Sequence, residues 1–122
     1  MSEFAAIETV LWDYLDGLYE GDADRLAGIF LPDANLYAVN DEGAATVLPR
    51  DTWLDVVRGR TSSKDSGNPS TNQVVWIDVT GTTAVARVLC SFPPNGFTDT
   101  LCLLKMAEGW KIIAKTYHVS PV

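Results

Sequence analysis

The residues able to do chemistry in this sequence are few. A single histidine, His118, two cysteines, Cys90 and Cys102, and carboxylates set among apolar neighbours carry most of it. Two cysteines and one histidine are too few for a disulfide framework or a four-ligand zinc site. No metal and no cofactor is expected, and the thiols read as small hydrophobes. Among the carboxylates Asp99 stands out, being the one carboxylate in the alternating segment FTDTLCLLKM. If Pro93 to Gly96 form a turn, Phe92 faces Phe97, Cys90 faces Asp99, Val88 faces Leu101 and Ala86 faces Leu103, all on one side of a sheet. The same register turns Cys102 to the opposite face, out of bridging reach of Cys90.

Two environments are open to Asp99. Near an open strand end it is solvated, or it accepts hydrogen bonds from Thr98, Thr100 or Thr116. Buried, it loses hydration, which favours the neutral, hydrogen-donating acid unless a cation or several donors hold the charge. Tyr14 is its natural companion. It lies in the helical stripe Phe4, Ile7, Leu11, Tyr14 and Leu18, where a phenol needs a partner for its hydroxyl. The last strand places Lys111 and Lys115 on one side and Trp110, Ile112, Ala114, Thr116 and His118 on the other. A tight Ala107-Glu108 turn sets the second group beside the Asp99 row, so His118 is expected on the concave face as a candidate base. Trp53 can wall a cavity there.

The elements that must position these groups follow from pattern and punctuation. Ser2 caps a helix that Gly21 ends, and Asp22 caps a shorter one running through Phe30. Pro32 and Asp33 break it. NLYAVN and AATVLP form two short strands around Asp41-Glu42-Gly43, and a third helix covers Asp51 to Val57. The apolar-free run GRTSSKDSGNPS, residues 59–70, reads as a mobile surface loop, a connector or a lid. From Asn72 onward four period-two segments make an antiparallel meander. Helices first and strands after give an α+β domain, one domain in 122 residues, with helices covering one face of a bent sheet.

Composition narrows the partners. Nine basic against sixteen acidic residues give a net charge of −7, which repels phosphate backbones and anionic lipid, so neither nucleic acid nor membrane is expected. No stretch approaches the ~20 apolar residues that span a bilayer, and the acidic start MSEFAAIE is unlike a secretory leader. A cytoplasmic protein is the expectation.

The segments YLDGLYEGDADRLAGIFLPDANLYAV, LPRDTWLDVVRGR and FTDTLCLLKMAEGWKIIAKTYH together resemble the nuclear transport factor 2-like superfamily over nearly the whole chain, closest to its lumazine-binding and SnoaL-like groups. The resemblance implies a cone-like, strongly curved antiparallel sheet wrapped round the first helix, a pocket inside, and a homodimer through the outer sheet face, here with Leu89, Cys102 and Leu104. Within that superfamily ketosteroid isomerase is similar in its opening. Its oxyanion-binding tyrosine and protonated aspartate match Tyr14 and Asp99, while its general-base aspartate falls at Ala38, which holds no proton. Steroid isomerisation by that mechanism is therefore not expected, although His118 or a water can stand in as base.

Two functions follow as expectations. One is a pocket protein, or an acid–base enzyme of the isomerase or cyclase kind, in which Tyr14, Asp99 and His118 act on a carbonyl-bearing cyclic ligand held by Ala38, Trp53, Cys90, Phe97 and Thr116. The other is a non-catalytic homodimeric module whose cone is filled by side chains.

Overall fold

A computed structural model describes residues 2–122. Helix α1, Glu3–Glu20, begins where the Ser2 side chain accepts a hydrogen bond from the Ala5 amide. It ends at Gly21, whose φ of 69° lets the Asp22 amide return to the Gly17 carbonyl at 2.8 Å. Asp22 caps α2, Ala23–Ala27, by accepting from the Arg25 amide. Gly17 permits the close approach of α2, since a Cβ there would meet the Leu26 side chain at 3.0 Å.

The second helix is shorter than the sequence pattern predicts. Phe30, expected within it, opens strand β1, Phe30–Val39, which runs on through Pro32 and Asp33. Strand β2, Ala45–Pro49, returns beside β1, and α3, Arg50–Gly59, follows directly. Arg50 pins this corner by donating to the carbonyls of Ala27 and Phe30, both at 3.2 Å.

The meander is as the alternation predicts: β3, Gln73–Thr80; β4, Thr83–Phe92; β5, Asn95–Met106; and β6, Gly109–Pro121. All neighbours within it are antiparallel, and β1 joins β6 in parallel, giving one six-stranded sheet of order β2-β1-β6-β5-β4-β3. The β4–β5 turn is tighter than expected, with Pro93 and Pro94 between the Phe92 and Asn95 pair. Each β4 residue therefore faces a partner two positions earlier in β5: Cys90 meets Phe97, and Val88 meets Asp99. A shift of two preserves faces, so Asp99 still looks inward.

Helix α1 lies against the inner face of the sheet. Its buried Ile7, Leu11, Tyr14 and Leu15 form a core with Ala86, Val88, Leu101, Leu103, Trp110 and Ile112. The result is helices packed on a curved, mostly antiparallel sheet. Among the described residues no helix is long and apolar enough to cross a membrane.

Residues 59–70 do not behave as a free loop. The helix takes Gly59, and Ser62 and Ser63 are buried. The Lys64 amide donates to the Tyr19 carbonyl at 3.1 Å, and the Tyr19 hydroxyl donates to the Asn68 carbonyl at 2.6 Å. At Gly21 an added Cβ would press on Ser62 at 3.0 Å. Polar composition concealed this strap because its anchors are hydroxyls and backbone groups rather than apolar side chains.

Candidate functional site

Helix α1 and strand β5 meet at one polar contact deep in the core. The Tyr14 hydroxyl donates to Asp99 Oδ2 at 2.5 Å, and both residues are fully buried. Burial, with the negative charge of Asp99 beside it, pushes the Tyr14 phenol well above its ordinary value, so it stays a donor.

A cation answers the carboxylate. Lys115 Nζ stands 3.7 Å from Asp99 Oδ2, and the residue is only 5% exposed. The ammonium lies among aromatic rings, 5.3 Å from the centroid of Tyr14, 5.0 Å from Trp53 and 5.1 Å from Tyr117. Tyr14, Asp99 and Lys115 thus form one buried polar chain, with a cation that the sequence reading did not include. Asp99 Oδ1 is buried without a hydrogen-bond partner.

Lys115 reaches the interior through a β-bulge. Leu103 pairs with Ile112 but Cys102 pairs with Ala114, so Ile113 is an extra residue on β6. One inserted residue reverses which side chains face inward. Trp110 and Ile112 face the core as expected; beyond the bulge the inward residues are Lys115 and Tyr117, opposite Leu101 and Asp99.

The bulge corrects two site assignments and bears on a third. His118 and Thr116, expected on the concave face, are exposed on the outer one. They line a shallow groove together with Tyr37 and Val39. Ala38, expected against the ligand, borders that same groove near the open end of β1. No base enters the pocket from these positions.

Above the Tyr14–Asp99–Lys115 chain lies a cavity of about 190 Å³. Trp53, Cys90 and Phe97 line it, as the sequence led one to expect, along with Leu18, Leu36, Leu48, Phe92 and Tyr117. Trp53 is held by ring contacts to Phe30 at 5.2 Å and Tyr14 at 6.4 Å between centroids. Burial pushes the Cys90 thiol up to about 12, with Asp99 adding to the effect, so it is a wall and not a nucleophile at neutral pH.

Sequence reasoning missed Lys115 and Arg60, both of which line the cavity. Arg60 sits where α3 ends, in extended conformation, with its guanidinium carbon 4.1 Å from the Phe92 ring centroid. Its presence in a run without apolar residues disguised it as a loop charge. For Lys115 a signal existed: Ile112-Ile113 places two β-branched apolar residues side by side, which a strict alternation cannot bury on one face. Among the described residues no three of His, Cys, Asp and Glu converge as a metal site.

Comparison with known proteins agrees with this architecture. A nuclear transport factor 2-like (NTF2-like) protein of unknown function from Shewanella baltica OS155 superposes with a TM-score of 0.88 at 27% identity, over 98% of this chain and 95% of that one. A second such protein of unknown function, from Methylobacillus flagellatus KT, gives 0.82 at 26% identity over 96% and 91%. One from Silicibacter pomeroyi DSS-3 gives 0.84 at 20% over 96% and 95%, a likeness of fold. A search of curated proteins finds no match. The profile of the family described as "Putative lumazine-binding" matches residues 2–118. With helices laid in a curved sheet and a cavity between them, the chain belongs to that family, within the nuclear transport factor 2-like superfamily.

Proposed function

We propose that this protein binds a small planar ring compound in the cavity between α1, α3 and the sheet, and that the Tyr14–Asp99–Lys115 chain engages a carbonyl of that ligand. The observation that carries the reading is an aromatic-walled space of about 190 Å³ lined by Asp99 and Lys115, with the Tyr14 hydroxyl behind them on Asp99. A scaffold with no ligand is better served by side chains packed to interior density. An apolar cavity of about 150 Å³ accepts benzene, and sites for drug-sized ligands begin near ~300 Å³. One or two rings therefore fit, and a four-ring steroid does not.

The chemistry differs from the sequence expectation in its donor. Tyr14 has one proton, and it is committed to Asp99. The ammonium of Lys115 is then the group that can donate to a ligand oxygen and stabilise negative charge developing there. Asp99 is the one carboxylate among the described lining residues, and it takes the part of proton acceptor in place of the distant His118.

Thermal denaturation with phenol, lumazine and a steroid tests the reading. A ligand at 100 times its Kd adds about 2.7 kcal/mol, a rise of several degrees in Tm for a domain of this size. A rise with phenol or lumazine and none with the steroid is expected; no rise with any ring compound sinks the proposal. For the acid–base step, deuterium exchange at the α-carbon of a cyclic ketone, followed by NMR, should occur with the native protein and be lost in Lys115→Met.

A specific observation also favours pairing of two copies. The outer sheet face carries partly exposed Val85, Leu89, Leu104 and Ile113 around the exposed Cys102. We propose that this face joins two copies of the chain.

A further inference from the structure

Four polar or cationic side chains along the cavity already have partners. The Asn72 side-chain amide donates to the Leu15 carbonyl at 3.2 Å, and the Tyr19 hydroxyl to the Asn68 carbonyl. Ser91 shares a hydrogen bond with Thr71 at 2.7 Å, and Lys115 faces Asp99. Arg60 is different. Among the described residues it enters no ion pair and donates no hydrogen bond, although six other Lys and Arg residues each find a carboxylate. It is half-buried, and loss of hydration pulls its guanidinium below the ordinary value. A guanidinium keeps five N–H donors in a rigid fork, and only its face is occupied here, by the Phe92 ring.

Charge sharpens the point. Lys115 and Asp99 cancel, so the cavity carries one net positive charge from Arg60, in a chain of net charge −7. An anion approaches this protein against its overall charge, and Arg60 is the uncancelled positive charge it meets in the cavity.

We infer that the ligand is a planar ring acid, its carboxylate held by the Arg60 fork and its ring between Trp53, Phe97 and Tyr117. This rests on the reading of the cavity as a ligand site and names the class of ligand. A carboxylate matches the planar fork with two parallel hydrogen bonds and cancels a single positive charge. A phosphate dianion would keep one of its two charges uncancelled beside a single free cation among the described lining residues. The volume allows one or two fused rings beside the carboxylate.

Calorimetric titration of the intact protein with benzoate and indole-3-carboxylate, each beside its neutral amide, decides the matter. At least one acid is expected to bind about tenfold or more tightly than its amide. Arg60→Gln should erase that preference while leaving the melting temperature of the free protein nearly unchanged, and Arg60→Lys should restore part of it. Raised salt should weaken the acid and not the amide. Equal binding of acid and amide, or an acid preference that survives Arg60→Gln, overturns the inference and leaves the cavity reading standing. Failure of acids, amides and neutral rings alike overturns both.

Discussion

Removing the Lys115 charge should expose how much of the core depends on it. Lys115→Met keeps an unbranched stem of similar length and deletes the ammonium, so the packing against Trp53 and Tyr117 largely survives while Asp99 loses its cation. At 3.7 Å, and with an effective dielectric constant of ~20, the attraction is about 4.5 kcal/mol. Breaking a buried pair from one side generally costs about 3–5 kcal/mol, because the remaining charge stays desolvated. Urea denaturation at neutral pH should therefore show a midpoint about 2 M lower, given a slope of roughly 2 kcal/mol per molar. The double variant Lys115→Met with Asp99→Asn removes both charges and keeps an acceptor for Tyr14. It should regain about 2 kcal/mol or more over the single variant. A loss under about 1 kcal/mol in Lys115→Met, or a double variant no more stable than the single, would refute the claim that the ammonium holds the carboxylate.

Three further outcomes follow from the same geometry. A thiol reagent at pH 8 should modify exposed Cys102 quickly and Cys90 only on unfolding, since a thiol pushed up to about 12 is ~10⁻⁴ thiolate there; rapid loss of both thiols would count against the burial of Cys90. Stability should fall in alkali. The Cys90 contribution is whole below the ordinary thiol value of 9.0 and is lost as pH rises toward about 12, and the raised Tyr14 acts in the same sense above 10.0; Cys90→Ala should flatten the pH dependence of Tm in that range. Sedimentation should report a dimer that Leu104→Glu dissociates without unfolding, and a monomeric native protein would remove the proposed outer-face contact.

The opening helices and the meander were legible because their signals are local. Ser2, Gly21 and Asp22 each act on backbone groups within three or four residues, and the alternation of β4 and β5 is interrupted only at Pro93-Pro94. Asp99 faced inward under either turn length because the error was an even number of residues. The parallel pairing of β1 with β6 left no such mark, since Asn35 and Ala114 are 79 positions apart and no periodicity speaks to their contact. Local patterns fix the elements, and pairing between distant ones is decided by which arrangement closes the sheet around α1.

The site was legible up to one residue. Tyr14 and Asp99 were found because each is polar where its element is apolar, a local contradiction that burial must resolve. The resolution came from a third group whose direction depended on counting through β6, and Ile113 upsets that count by one. Had the strand run without a bulge, His118 and Thr116 would face Tyr14, and Lys115 would lie in solvent. The inserted residue thus brings Lys115 and Tyr117 to the places opposite Leu101 and Asp99 that Ala114 and Thr116 would otherwise hold, a change of fixed charge and not merely of shape. That change puts a cation 3.7 Å from Asp99 where the sequence suggested two donors side by side, and the Tyr14 hydroxyl donates its hydrogen bond to the same carboxyl oxygen. The chemistry proposed for the cavity follows from this polarity. Its inner end gives hydrogen bonds through Lys115, its outer end through Arg60, and a ligand suited to both carries acceptors at its two ends and an apolar ring between them.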